Sequence, residues 1–290
     1  MRVGIIGTGL MGGPMTLKLQ ASGYQVTAYN RTPEKLKSLA EAGVAIATSA
    51  LEVLQSSDCT LLMLTNGEAI AEVILNPTTR PGLADHTMIQ MGTIAPTETK
   101  TLAQQVRDCG GNYLEAPVLG SIPEVKKGTL LVMVGASEAD FEQWCPLLQT
   151  FGPKPLHLGP VGSAATVKLA MNQLIASLTT AFALSLHLIQ QEGIDVEAFM
   201  QLVRQSALYA PTFDKKLQRM LDHQYSNPNF PVKHLLKDTR LFLQAANDLG
   251  LEGSMLEGIA KVLEKSGDRG HFDDDYSALF EGIALRSREG

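Results

Sequence analysis

Gly7-Thr8-Gly9-Leu10-Met11-Gly12 lies between an apolar run, Arg2-Val3-Gly4-Ile5-Ile6, and a stretch of helical periodicity from Met11 to Ser22. This is a complete G-x-G-x-x-G placed after a strand and before a helix. The first glycine permits the tight turn, the second lets the backbone approach a pyrophosphate, and the third allows the helix to pack closely on the strand. The helix N-terminus meanwhile offers unsatisfied N–H groups to the anion. A lone glycine-rich turn has purely conformational explanations; in this setting it predicts a dinucleotide site. The expected fold class is α/β, opening with a Rossmann-type domain.

The pattern outward from the loop agrees. Short β-branched runs alternate with helical periodicity over the first 160 or so residues, the signature of βαβ units feeding a parallel sheet. Strands are expected at Arg2–Ile6, Gln25–Tyr29, Cys59–Leu64, Thr87–Gln90, Tyr113–Glu115 and Leu130–Val134. Helices are expected at Met11–Ser22, Thr32–Ala42, Leu51–Gln55, Ala69–Ile74, Pro96–Cys109 and Ala139–Leu148. After Gly162 no further strand pattern occurs, so the expected boundary separates residues 1–162, a nucleotide-binding domain, from 163–290, an all-α domain. Ser163 can cap a helix running to Gln191, roughly 43 Å at 1.5 Å per residue and long enough to join two domains. Helices at Val196–Ser206, Pro211–Asp222, Pro231–Leu249, Ser254–Ser266 and Tyr276–Ser287 complete the expectation.

Composition narrows the class of protein. The chain has 290 residues, 44% of them hydrophobic, which suffices for a sizeable core. With 24 Lys+Arg against 30 Asp+Glu the net charge is −6 and no basic cluster stands out, which argues against a nucleic-acid partner. Cys59, Cys109 and Cys145 lack metal-ligand spacing and are odd in number, fitting a reducing compartment; the expected location is cytoplasmic. The first apolar run is too short for a signal h-region. The stretch from Ala164 to Ile189 is interrupted by Lys168, Asn172, Gln173 and His187, so it predicts a helix packed in a soluble protein rather than a membrane span. His271-Phe272-Asp273-Asp274-Asp275 gathers a histidine and three carboxylates, but adjacent ligands do not converge on one ion; no metal site is expected, and Asp275 or a neighbour is expected to cap the last helix.

The second strand selects the dinucleotide. An Asp or Glu about 20 residues beyond the loop binds the ribose 2′-hydroxyl of NAD, whereas an Arg accommodates a 2′-phosphate. Here the strand ends in Asn30-Arg31-Thr32 with no carboxylate. Arg31 offers a planar cation to a phosphate, with Asn30 and Thr32 adding neutral hydrogen bonds, so NADP(H) is expected over NAD(H).

The extended loop Gly7 to Met15, then Asn30-Arg31-Thr32, then Glu115-Ala116-Pro117-Val118 with Gly120 and Gly128-Thr129-Leu130 resemble the β-hydroxyacid dehydrogenase family. So do Gly159, Gly162, Lys168 and Asn172, and finally Phe230 with Lys237-Asp238. The resemblance spans essentially the whole chain. It implies an NADP-dependent oxidoreductase of small hydroxy or aldehyde acids, closest to glyoxylate/succinic semialdehyde reductases. The 3-hydroxyisobutyrate and tartronate semialdehyde enzymes are the alternative, a non-catalytic nucleotide-binding protein a weaker one, and Lys168 disfavours the imine-reducing relatives. By the same resemblance the cofactor contacts are Gly7, Thr8, Gly9, Leu10, Met11, Gly12, Asn30, Arg31, Thr32, Met63, Leu64, Thr93 and Lys237. The substrate contacts are Thr93, Leu119, Gly120, Ser121, Lys168, Asn172, Phe230 and Asp238, with a dimer or tetramer as the implied assembly.

Physical chemistry supports the catalytic part of that pattern. Lys168 and Asn172 are four apart and share one helical face. Reduction of a carbonyl builds alkoxide charge, which an ammonium stabilises and then protonates. Lys168 is also the only charged residue between Gly162 and Glu192. One departure stands out: the family usually has Ser-Gly-Gly or Ser-Gly-Ser after Pro-Val, and this chain has Leu119-Gly120-Ser121. The change removes a hydroxyl and sets an apolar wall in its place. Ile122 to Lys127, with Lys126 and Lys127, is expected to be a solvated turn.

Overall fold

Val3, Ile5 and Ile6 have almost no solvent exposure, as expected for a strand covered on both faces. The structure, a computed structural model, describes residues 1–284. In it β1 (Arg2–Ile6) pairs in parallel with β2 (Gln25–Tyr29) on one side and β4 (Cys59–Leu62) on the other. The sheet also contains β3 (Ala45–Ile46), β5 (Thr87–Gln90), β6 (Asn112–Glu115), β7 (Val118–Leu119), β8 (Leu131–Gly135) and β9 (Leu156–Gly159). Its order is β3-β2-β1-β4-β5-β6-β8-β7, with β9 beside β8. Strands β3 to β6 along that order run parallel, and β8 is antiparallel to β6 and β7. The chain winds one way from β1 and then the other, so the ligand crevice of such a sheet is expected beyond the C-terminal end of β1.

The strand period of two divides the interior. Ile5, Leu61, Ile89 and Leu114 enter one core, whereas their neighbours Ile6, Leu62, Met88 and Tyr113 enter the other. The first core is covered by α1 (Gly12–Ala21), α2 (Lys37–Glu41), α6 (Ile122–Lys127) and α7 (Glu138–Leu148), through Met15, Leu39, Val125 and Leu147 among others. The second is covered by α3 (Ala50–Ser56), α4 (Gly67–Ile74) and α5 (Pro96–Asp108), through Val53, Ile70 and Leu102. Each large aliphatic side chain buried in this way contributes about 1.5–3 kcal/mol.

The expected elements are present, with local differences. The stretch expected as a helix from Thr32 to Ala42 is a 3-10 turn, Pro33–Leu36, followed by the short α2. Strands β3, β7 and β9 have two, two and four residues, too few for a periodic pattern. Ile122–Lys127, expected as a solvated turn, is a helix because Ser121 and Glu124 form a capping box and Gly128 closes it in the left-handed conformation.

At the opposite end of the sheet from the glycine loop, His86 is buried with its Nε2 2.8 Å from Thr60 Oγ1. Burial pushes its pKa down to about 4. An unfolded histidine titrates near 6.5, so the folded chain binds fewer protons between these values. This contribution to stability is fully present above pH 6.5 and is lost as pH falls towards 4. Denaturant titrations should show the wild type losing about 2 kcal/mol more than His86→Gln between pH 7 and 4.5; equal losses would show that His86 does not set this dependence.

Beyond the sheet come α8 (Ser163–Gln191), α9 (Val196–Gln205), α10 (Pro211–Leu221), α11 (Val232–Asp248), α12 (Ser254–Ser266), a 3-10 turn at Tyr276–Ala278 and α13 (Leu279–Ile283). The chain divides into two compact units, Met1–Lys168 and Leu169 onward, so the division falls inside α8. The second unit has its own core, including Phe182, Leu186, Met200, Phe213, Leu235, Leu263 and Phe280. Among the described residues α8 alone is long and apolar enough to cross a membrane by length and composition; Ala176, Phe182, Ala183 and Leu186 on it are buried within the second unit. Asp275 accepts the Ser277 N–H at 3.1 Å, capping the 3-10 turn, and also holds the buried Lys216 at 2.7 Å. The last part of the helix expected to reach Ser287 lies outside the described residues.

Candidate active site

Two of the loop glycines are dictated by the protein's own packing and one is not. Gly7 has φ 97°, and a Cβ there would lie 2.3 Å from the Met63 carbonyl oxygen; a Cβ on Gly12 would lie 1.9 Å from the Gly7 carbonyl oxygen. A Cβ on Gly9 would meet nothing within 4 Å. Its lack of a side chain therefore serves something other than protein packing, which is the role of the second glycine in a pyrophosphate loop. The N-terminus of α1 has no side-chain cap and no acidic residue in its first turn; the Gly13 N–H goes to the Gly9 carbonyl at 3.1 Å and Pro14 has no N–H, so what the turn offers an anion is chiefly its positive dipole end. The loop residues thus fit a dinucleotide.

The other cofactor candidates follow the neighbouring strands. Asn30 leaves the end of β2 and locks the loop: its Oδ1 accepts the Thr8 N–H at 3.1 Å and its Nδ2 donates to the Thr32 carbonyl at 3.1 Å. Its carboxamide serves the shape of the loop, while Arg31 and Thr32 are exposed beside it. Met63 and Leu64 follow β4, the Met63 N–H bonded to the Ile6 carbonyl at 2.9 Å, and Leu64 approaches Gly7. Thr93 follows β5, after Gly92, where a Cβ would lie 2.4 Å from the Leu64 carbonyl oxygen. Gly7 to Gly12, Asn30 to Thr32, Met63, Leu64 and Thr93 thus come from the C-terminal ends of four adjacent parallel strands. A groove of about 540 Å³ beside the loop is lined by Thr8 and Gly9 together with Lys18, Lys35 and Lys126. In a chain of net charge −6 this gathers cations near the phosphate loop.

At the end of β6 stands Glu115, a carboxylate only 1% exposed. Its Oε1 accepts the N–H groups of Gly162 at 2.8 Å, Ala164 at 2.8 Å and Ala165 at 3.2 Å. Burial raises its pKa, and the backbone N–H donors oppose that rise. Ser163, expected as the cap of α8, is instead its first residue, and its N–H goes to the Pro160 carbonyl at 3.0 Å. Lys168, half-buried, lies one turn further along the helix.

In the expected substrate segment, Leu119 belongs to β7 and pairs with Leu131. Gly120 has φ 131°, and a Cβ there would press on Leu130 at 2.6 Å. Ser121, expected to offer donors to a substrate carboxylate, gives its N–H (2.8 Å) and its hydroxyl (2.6 Å) to Glu124 Oε2. These donors are engaged, and the carboxylate that engages them repels an acid. Ser121 thus caps α6 through Glu124, next to Gly120 in the segment expected to meet the substrate.

In the second unit three candidates meet. Asn172 Nδ2 donates to Asp238 Oδ2 at 2.6 Å, and Lys237 Nζ lies 2.9 Å from Asp238 Oδ1. Asn172 and Asp238 are 2% and 3% exposed, so the pair orients both side chains in a medium where an unmade hydrogen bond is costly. Phe230 packs edge-on to Tyr276 instead, with centroids 5.8 Å apart. Among the described residues no cluster of His, Cys, Asp and Glu is arranged to hold a metal ion.

Comparison with known proteins agrees with this organisation. Residues 2–159 match the model of the NAD binding domain of 6-phosphogluconate dehydrogenase, and residues 162–283 match that of the NAD-binding region of NADP-dependent 3-hydroxyisobutyrate dehydrogenase. The chain is 30% identical to glyoxylate/succinic semialdehyde reductase 2 of Arabidopsis thaliana, over 99% of this chain and 81% of that one. It is 32% identical to 2-hydroxy-3-oxopropionate reductase of Escherichia coli, over 98% of each. The chain belongs to the β-hydroxyacid dehydrogenase family. The fold is shared with Mycobacterium tuberculosis 3-hydroxyisobutyrate dehydrogenase, at a TM-score of 0.88 and 22% identity over 98% of this chain and 99% of that one.

As a β-hydroxyacid dehydrogenase the protein is an NAD(P)-dependent oxidoreductase of the 3-hydroxyacid type, acting on a small carboxylic acid. Sequence reasoning passed over three features of this β-hydroxyacid dehydrogenase. The Glu115 anchor depends on a contact across 47 to 50 positions, which no local pattern displays. The Glu124 capping box was legible as Ser-x-x-Glu. The lysines of the groove come from three separate helical segments and form no run in the sequence.

Proposed function

We propose that this β-hydroxyacid dehydrogenase is an NADPH-dependent reductase of small aldehyde acids, with glyoxylate and succinic semialdehyde as its substrates. The observation that carries the reading is Lys168: the one charged side chain in an apolar helix of 29 residues, placed one turn from a helix start that a buried carboxylate fixes. Four residues before Asn172, its ammonium lies on the helical face that also carries that carboxamide, so the two can converge on one substrate oxygen. NADPH, when bound, supplies the hydride.

The chain's own residues do the rest. The Lys168 ammonium stabilises the charge that develops on the carbonyl oxygen and donates the proton that completes the hydroxy acid. Asn172, held by Asp238, lies on the same helical face and orients the substrate oxygen. Thr93 and the Gly120 amide orient the substrate, and Lys237 approaches the cofactor. The glycine loop holds the pyrophosphate, and Arg31, with no carboxylate nearby on β2, takes the 2′-phosphate and favours NADPH. Leu119 places an alkyl group where the family's serine would place a hydroxyl, which favours an aldehyde acid without a hydroxyl beside the carbonyl over tartronate semialdehyde.

The reading is tested by initial rates on glyoxylate, succinic semialdehyde and tartronate semialdehyde with NADPH, and on 3-hydroxyisobutyrate with NADP+. Reduction of one of the first two with kcat/KM at least about tenfold above the other reactions is expected, the worth of one lost or mismatched polar contact. A chain that oxidises 3-hydroxyisobutyrate more efficiently than it reduces either aldehyde would refute it.

A further inference from the structure

The first turn of α8 can be accounted for donor by donor. Ser163 N–H goes to the Pro160 carbonyl, Ala164 and Ala165 N–H go to Glu115 Oε1, and Thr166 N–H goes to the Gly162 carbonyl at 3.1 Å. Gly162 N–H, just before the helix, also goes to Glu115. Helix starts are ordinarily capped by a residue adjacent in sequence. Here the cap is a carboxylate delivered by a strand of the sheet, so the start of α8 is pinned to the end of β6.

The surroundings are shaped around that carboxylate. Glu115 pairs in register with Gly135 on β8, and a Cβ on Gly135 would lie 2.3 Å from Glu115 Oε1. Gly162 turns the chain with φ 104°, and a Cβ there would strike Lys100 at 2.4 Å. Among the described residues the other carboxylate oxygen, Oε2, has no hydrogen-bond partner of good geometry; the Thr99 hydroxyl, 2.8 Å from Tyr113 Oη, lies close enough to favour the charged carboxylate. Burying an acid is costly, and the three amides that Oε1 accepts offset part of that cost while fixing the helix start.

We infer that Glu115 is a positioning residue for the reaction: by holding the Gly162, Ala164 and Ala165 amides it fixes the rotation and height of the first turn of α8, and with it the position of Lys168. Lys168 is four residues from Ala164 and three from Ala165, so helix geometry carries the placement of those two amides directly to its Cα. The inference rests on the proton-donor reading of Lys168 given above. A shift of about 1 Å in a catalytic group costs on the order of 100-fold in rate, which is the effect a loosened helix start would have.

The test uses the full-length protein with NADPH and the better aldehyde acid, in Glu115→Ala, Glu115→Gln, Lys168→Ala and the double variant Glu115→Ala/Lys168→Ala. Glu115→Ala should lower kcat about 100-fold while the dissociation constant for NADPH changes less than about threefold. Glu115→Gln, which keeps an acceptor oxygen for the same amides, should recover at least about a tenth of wild-type kcat. In the Lys168→Ala background, Glu115→Ala should add no further loss, because both changes act through the same group. Should Glu115→Ala fail to fold, Gly135→Ala displaces the same carboxylate from the neighbouring strand and should give the same fall in kcat at unchanged NADPH affinity. The inference is overturned by near wild-type kcat in Glu115→Ala or Gly135→Ala, by equal damage in the Gln and Ala variants, by NADPH affinity falling in step with kcat, or by multiplicative losses in the double variant. Retained turnover in Lys168→Ala would overturn the proton-donor reading and the inference with it; an inactive Lys168→Ala beside a fully active Glu115→Ala would overturn the inference alone.

Discussion

Lys168→Ala is expected to lower kcat by about 10³-fold, with NADPH affinity changed less than about twofold. The size follows from two losses at one atom: the charge that stabilises the developing alkoxide and the proton that ends the reaction. The selectivity for kcat follows from position. Lys168 lies in the second turn of α8, whereas the dinucleotide loop is built from β1 and α1. Lys168→Arg sharpens the test, because guanidinium keeps the charge but does not give up a proton near neutral pH. Arg should therefore recover only a small part of the lost rate. Recovery to within about tenfold of wild type would show that charge alone suffices and that the proton comes from elsewhere.

Arg31→Ala is expected to raise the KM for NADPH by about 30- to 100-fold and to leave that for NADH within about twofold. A charge-assisted contact to phosphate contributes about 1.5–3 kcal/mol, and 1.4 kcal/mol is a factor of ten. The local structure makes the expectation specific to Arg31. Asn30 is committed to the Thr8 N–H and the Thr32 carbonyl, so the exposed guanidinium is the cation on the β2 turn itself. Lys35 follows in the next turn and lines the neighbouring groove, so any residual preference for NADPH in the variant is expected to come from it. Initial rates with both cofactors at saturating aldehyde decide the matter; an unchanged NADPH KM would remove Arg31 from cofactor selection.

The contrast between Asn30 and Glu115 shows where sequence reading reaches its limit. The fold was legible because its signals are local: the short apolar and β-branched runs of β1, β4 and β5, the helical period of α8 and the glycine spacing after β1 each lie within a short window. Gly7 and Gly12 were read for the right physical reasons, since their Cβ atoms would strike the Met63 and Gly7 carbonyls. What a residue does with its side chain was less legible. Asn30 was expected to face a phosphate, and its role in bracing the loop was not foreseen; Ser121 was expected to face a substrate, and its role in capping α6 was not foreseen. Both are short polar side chains whose backbone neighbours compete for them. Glu115 was read only as part of a motif, because its partners lie 47 to 50 residues away. The two-residue strands β3 and β7 are pairings rather than patterns, set by the neighbours they join.

The position of positive charge is a second outcome of the fold. A chain of net charge −6 that binds a polyanionic cofactor and an acid must gather its cations locally. Arg31, Lys168 and Lys237 were the residues expected to do so, and the structure adds Lys18, Lys35 and Lys126 around one groove beside the glycine loop.

The central claim is hydride transfer to the aldehyde carbon of a small acid, completed by a proton from Lys168. It is tested most directly by reducing glyoxylate and succinic semialdehyde with NADPH deuterated at the transferring position and analysing the hydroxy acid product by mass spectrometry. The account predicts one deuterium on the carbinol carbon of at least one product, formed at a rate that Lys168→Ala lowers about 10³-fold. A product formed without deuterium, or no NADPH consumption with either aldehyde, would contradict it.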